Sequence, residues 1–227
     1  VQGVNPEITH WLAKAPEITA IGFTGSGLVG KLLIKLSQER DVPIPVYAEM
    51  GSLNPVFFTP GALAEKADEL AKAAMDSALL GSGQFCTKPG IIVVPDDAAG
   101  DKFISQIESY VAEQKVGPLL NKGIASRFTD AISSLTKSKG LKVISGTNNP
   151  DGFGVTPTIF VVNWSDVKNH QDLLEEHFGP TSVIIRAPFD QFLTVATAME
   201  GQLTAALHAA AGENVKDLVA KLSQLAG

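Results

Sequence analysis

The chain has 227 residues, 44% of them hydrophobic, with 24 acidic against 18 basic side chains and a net charge of −6. That balance argues against a nucleic-acid or anionic-membrane surface, and the longest apolar runs fall well short of the roughly 18 residues a membrane span requires. One cysteine, Cys86, excludes an intrachain disulfide and a thiolate metal cluster, so no metal site is expected.

In chain order, "PEITHWLAK" (6–14) predicts a short helix with proline in its first turn. "EITAIGF" predicts a strand, 27–39 a helix and 44–48 a buried strand. "NPVFFT" is a further short strand, followed by a long Ala/Leu helix over 61–80. Turn formers fill "GSGQFCTKPG" (81–90), and "IIVVP" is a strand. Helices near 97–115 and 121–138 precede strand "LKVIS", and "GTNNPDGFG" (146–154) is the clearest loop. Strand "TIFVV", an acidic helix "HQDLLEE", strand "TSVIIRA", helix "FDQFLTVATAM", strand "LTAALHA" and helix "NVKDLVAKLSQL" complete the order. The alternation predicts an α/β fold with mainly parallel strands. A composition break near 49–55 marks the expected domain seam. The mean hydropathy of +0.15 fits buried parallel sheet, or a surface that a partner segment normally covers. No basic-then-apolar targeting segment opens the sequence, and a cytoplasmic location is the expectation. The first residue is Val rather than Met, which reads as a processed or excised piece.

Residues 25–30 spell G-x-G-x-x-G between a strand and a helix, and Glu49 follows nineteen residues after Gly30. This is the outline of a dinucleotide fingerprint, in which Glu49 would be the ribose acid. Against that role, "AEMGSLNP" runs on into Gly, Asn and Pro rather than into another crossover helix. Glu49 could equally be a strand-end carboxylate in solvent. A lone cysteine commonly packs as a small hydrophobe. Around Cys86, however, Gly, Ser and Gln supply backbone donors for a thiolate and an oxyanion. Lys88 reads as a solvated loop charge that could assist a thiolate. Glu176, in "LLEEHFGP", reads as a solvated helix end, although the abrupt "FGP" stop suits a positioned loop.

Taken together, "GFTGSGLVG", "AEMGSLNP", "GSGQFCTKPG" and "EEHFGP", in this order and spacing, resemble the aldehyde dehydrogenase superfamily. The variants "EMGS" and "QFCT-PG" look most like its 2,5-dioxovalerate (α-ketoglutarate semialdehyde) branch. The commoner "ELGG" and an arginine after the nucleophile are both replaced here. The resemblance implies Cys86 as nucleophile and Glu49 as general base. It implies Glu176 on the nicotinamide ribose, Phe178 beside the nicotinamide, and Gly25 and Ser26 at the pyrophosphate of NADP or NAD. It implies residues 1–49 as the end of a Rossmann-like dinucleotide-binding domain and 50–227 as a C-terminally truncated catalytic domain. The family's oxyanion asparagine, its adenosine-ribose lysine and its oligomerisation strands would lie outside this chain. A fragment with little or no activity of its own is therefore expected, from an enzyme that forms homo-oligomers and oxidises a small aldehyde to a carboxylate. Two other readings stand beside it: a Rossmann-type dehydrogenase with Glu49 on a ribose and a structural Cys86, and a non-catalytic cofactor-binding or interaction module. Glu49 and Cys86 are expected to approach one cleft.

Overall fold

The computed structural model describes residues 6–226. The chain divides into two compact units, residues 1–51 and 52–227. In the first, helix α1 (Pro6–Lys14) precedes strand β1 (Ile21–Gly25), helix α2 (Gly27–Gln38) and strand β2 (Val46–Met50). The two strands pair in parallel, with Thr24 opposite Glu49 and Gly25 opposite Met50. A parallel pair needs a crossover, and α2 supplies it. Alternation decides the faces: Ile21, Phe23 and Val46 pack with Ala13, Leu33 and Leu36, while Thr24, Tyr47 and Glu49 face outward. Gly30 is buried where a Cβ would lie 2.5 Å from the Met50 sulfur, so α2 can rest on β2 only without a side chain there.

Arg40 fastens this unit. Its guanidinium donates to the carbonyls of Ala13, Ala15 and Ile18, each at 2.9 Å, and to that of Val42 at 3.4 Å. The Ala13 carbonyl belongs to the last turn of α1, where unpaired acceptors and the helix dipole favour a cation.

The second unit is a six-stranded sheet in the order β5-β6-β7-β4-β3-β8. Its elements run β3 (Val56–Phe58), α3 (Pro60–Leu79), β4 (Ile91–Pro95), α4 (Ala98–Ala112), α5 (Lys122–Thr136), β5 (Lys142–Ser145), β6 (Thr158–Asn163), α6 (Trp164–Val167), β7 (Thr181–Ala187), α7 (Phe192–Thr197), β8 (Ala206–His208) and α8 (Lys216–Leu225). β5 joins antiparallel at one edge and every other pairing is parallel. The expected α/β class with mainly parallel sheet is what forms. β4 is buried along its whole length because both faces are covered. Ile91 and Val93 pack with α7 and α8 residues, and Ile92 and Val94 with those of α3 and α4.

Two expectations are corrected, and one element is new. The acidic helix "HQDLLEE" is only a single 3-10 turn, Gln171–Leu174. Two acids at its end would oppose a helix dipole, and Gly179 at φ +154 followed by Pro180 stops any continuation. The helix of "FDQFLTVATAM" is α-helical only from Phe192 to Thr197, after a 3-10 turn over Phe189–Gln191. The one-turn helix α6 was not foreseen.

Candidate active site

Parallel order explains how distant segments meet. Ser52–Pro55 leads into β3, Cys86–Gly90 into β4 and Glu176–Pro180 into β7, and β3, β4 and β7 are neighbours. All three segments therefore collect at the edge where these strands begin. The segment holding Gln202 and Thr204 leads into β8 and joins them there. Main-chain bonds set the register: the Leu53 carbonyl accepts from Gly90 N at 2.7 Å and Ile91 N at 3.1 Å, and the Gly90 carbonyl accepts from Val183 N at 2.8 Å.

Cys86 lies exposed in a turn after α3. Ser82 and Gly83, at φ +60 and +67, bend the chain sharply ahead of it. A Cβ on Gly83 would sit 2.1 Å from the Gly179 carbonyl oxygen, so this turn and the "HFGP" loop touch backbone to backbone. Asn54 holds the turn from below. Its amide nitrogen donates to the carbonyls of Cys86 at 2.8 Å and Lys88 at 2.9 Å. Its oxygen accepts from Ser52 Oγ at 2.9 Å, Thr204 N at 3.2 Å and Thr204 Oγ1 at 3.1 Å. Gln202 Oε1 in turn accepts from Leu53 N and Asn54 N. Asn54 itself sits at φ 44, a left-handed conformation that asparagine tolerates better than most residues.

The expected solvated Lys88 is instead buried, with 4% of its surface exposed. Its ammonium donates to the Thr181 carbonyl at 2.6 Å and the His177 carbonyl at 3.4 Å. Burial pulls its pKa down to about 8, and the nearby Glu176 carboxylate resists that fall. Burial likewise pushes the Glu176 carboxyl up, opposed by the Lys88 charge and by the Ser52 N–H that bonds to it. Burial holds His177 down, while its ring meets the Asp172 carbonyl at 3.0 Å. A recess lined by Ser52, Lys88, Glu176 and His177 opens here. Phe178 lies beside it in sequence, partly exposed.

In the first unit, Gly25 ends β1 and Ser26 caps α2 with extended backbone. The Ser26 hydroxyl is not used as a side-chain cap, so the first N–H groups of α2 are left for an anion, and Gly27 has open space around its Cα. These features fit a pyrophosphate. Glu49 is exposed across the register from Thr24, whose hydroxyl donates to it at 3.5 Å. The structure thus joins Cys86, Glu176 and Phe178 in one unit, and Gly25, Ser26 and Glu49 in the other.

Sequence reasoning missed Asn54, Gln202 and the burial of Lys88. The "SLNP" stretch argued only against a further crossover helix, and Gln202 carried no local signal, since its partners are about 150 residues away.

A family model described as "Aldehyde dehydrogenase family" matches residues 1–224. The chain is 36% identical to alpha-ketoglutaric semialdehyde dehydrogenase 2 of Azospirillum brasilense, over 86% of this chain and 38% of that protein. It is 34% identical to the alpha-ketoglutaric semialdehyde dehydrogenase of Acinetobacter baylyi, over 95% of this chain and 42% of that one. The chain thus spans about two fifths of the length of these curated relatives. In fold it is similar to gamma-glutamyl-gamma-aminobutyraldehyde dehydrogenase from Burkholderia cenocepacia, with a TM-score of 0.79 at 24% identity, covering 96% of this chain and 45% of that one. It is also similar to PnpE solved in complex with nicotinamide adenine dinucleotide, with a TM-score of 0.78 at 21% identity, covering 96% of this chain and 46% of that one.

Proposed function

The chain belongs to the aldehyde dehydrogenase family, and from that premise we propose that it carries the nucleophile and general base of an enzyme oxidising a small semialdehyde, 2,5-dioxopentanoate or a close analogue, to a carboxylate. The observation that carries the reading is the Cys86 turn: an exposed thiol on a backbone held by Asn54 and seated on the loop of Glu176. Fixed backbone around a mobile reagent is what nucleophilic catalysis asks for.

Cys86, as thiolate, attacks the aldehyde carbon and forms a thiohemiacetal, and the Cys86 backbone N–H is one donor to its oxyanion. NADP or NAD would be held by Gly25 and Ser26 at its pyrophosphate and by Glu176 and Phe178 at its nicotinamide end, and would supply the hydride acceptor. Loss of hydride leaves a thioester on Cys86. Glu49 takes a proton from water, the hydroxide adds to the thioester carbon, and the Cys86 thiolate departs from the carboxylic acid. The names of the relatives and the "EMGS" and "QFCT" variants support the substrate class. The remaining oxyanion donor, the adenosine contacts and the homo-oligomer contacts belong in this reading to the rest of an intact enzyme, so the 227 residues alone turn over little or nothing.

A second reading has one observation in its favour. Glu49 ends a parallel strand beside the glycine turn, where an acid on a ribose hydroxyl also sits. Single-turnover kinetics of Glu49→Gln in the intact enzyme separates the two. A base variant gives a burst of reduced cofactor followed by slow thioester hydrolysis, whereas a ribose variant weakens cofactor binding without a burst. Ordinary turnover by Cys86→Ser overturns both the mechanism and the assignment of Cys86.

A further inference from the structure

Lys88 takes no part in the steps above, yet its amine lies almost wholly out of water. A methionine would fill the same slot at no electrostatic cost, so the amine has to be explained by what it holds. At its backbone, Lys88 is tied through its carbonyl to Asn54. At its tip, the ammonium donates to Thr181 and His177, the residues on either side of Phe178, Gly179 and Pro180. The side chain therefore spans from the cysteine turn to both ends of Phe178–Pro180, and its anchor at His177 is the residue next to Glu176. The carboxylate of Glu176 is close enough to the ammonium to feel its charge and is held from another side by the Ser52 N–H.

We propose that Lys88 is a positioning residue that acts through Glu176, fixing the Glu176–Phe178 loop at a set distance from Cys86; this rests on the reading of Glu176 as the acid on the nicotinamide ribose. The loop that orients one reactant is thereby pinned to the turn that carries the other, and small misplacements between reacting groups are costly. A glycine completes the joint, since Gly83 lets the cysteine turn meet the Gly179 carbonyl. The amine is the adjustable part of that contact.

The test is a double-mutant cycle in an intact enzyme containing this chain, with Lys88→Met, Glu176→Gln and both together. Lys88→Met is expected to raise the KM for cofactor about tenfold and leave the KM for aldehyde within about twofold. In the double variant the cofactor KM should be no higher than in Glu176→Gln alone. Fully multiplying effects, or equal rises in both KM values, mean that Lys88 only supports the fold and overturn the proposal. If Glu176→Gln raises the cofactor KM and Lys88→Met does not, the inference fails while the functional reading stands. If Glu176→Gln changes nothing, the ribose role fails and the inference with it. Should Lys88→Met not fold, the same cycle with Lys88→Gln, which removes the cation but keeps a polar side chain, gives the same decision from the coupling with Glu176→Gln.

Discussion

Asn54 donates both hydrogens of its side-chain amide to one turn, to the carbonyl of Cys86 and to that of Lys88. Asn54→Ala strands these two carbonyls and the two Thr204 donors on the amide oxygen, and places alanine at φ 44. A loss of about 2–4 kcal/mol is expected, read as a lower urea midpoint for the chain. Asn54→Asp should cost at least as much, because it turns lone pairs toward two carbonyl oxygens. An unchanged midpoint in either variant would refute the clamp.

Lys88 makes stability depend on pH in an unusual direction. Its folded pKa, about 8, lies below the ordinary 10.5, so between these values the unfolded chain binds more protons than the folded one. Stability attributable to this residue therefore rises from about pH 8 to about pH 10.5, and the penalty of burying the charge is fully present below pH 8. The stability difference between wild type and Lys88→Met should shift in favour of wild type by up to about 3 kcal/mol across that window. Denaturant titrations at pH 7 and pH 10 measure it, and a constant difference contradicts it.

Two glycine-to-alanine changes should have opposite outcomes. At Gly83, with φ +67 and the Gly179 oxygen 2.1 Å from the new Cβ, alanine should destabilise the second unit by about 3 kcal/mol or more. At Gly27, with open space at the start of α2, alanine should leave stability unchanged or raise it by up to about 0.5 kcal/mol. In the intact enzyme Gly27→Ala should still weaken cofactor binding, because the proposed approach of the pyrophosphate needs bare backbone. Thermal melts and cofactor titrations test the pair.

Arg40→Lys keeps the charge but cannot reach three carbonyls at once. The end of α1 should loosen by about 1–2 kcal/mol. Hydrogen exchange of the α1 amides should accelerate about tenfold, while the strands of the larger sheet keep their protection. Equal acceleration in both units would show that Arg40 does more than fasten the first.

What the sequence disclosed depended on how local its cause was. β4 and β7 were legible because "IIVVP" and the "VII" within "TSVIIRA" are short β-branched apolar runs, and α3 because Ala and Leu recur over 61–80. The acidic stretch after His170 misled, since its helical composition is overruled by Gly179 and Pro180 close behind. Around the site, residue types were legible but not their neighbours. Lys88 is flanked by Thr87 and Pro89, which suggest a solvent turn, and the atoms that bury it come from a strand that is adjacent only by sheet order. Gln202 and Thr204 reach Asn54 for the same reason, through β8 pairing with β3.

The sequence distances of those contacts also fix a timetable. Lys88 bonds to residues 89 and 93 positions downstream, and Asn54 to one 150 positions downstream. As the chain leaves the ribosome, the thiol of Cys86 is made long before the residues that aim it. Until Thr181 and Thr204 emerge, the lysine tip is still hydrated and the asparagine has nothing to hold against, so the cysteine turn is a loose loop bearing an accessible thiol. Contacts of such long range form late, after the local helices. A nascent chain therefore passes through a period in which the Cys86 thiol is present without its frame, and the period ends only when β7 and β8 close the sheet around β4 and β3.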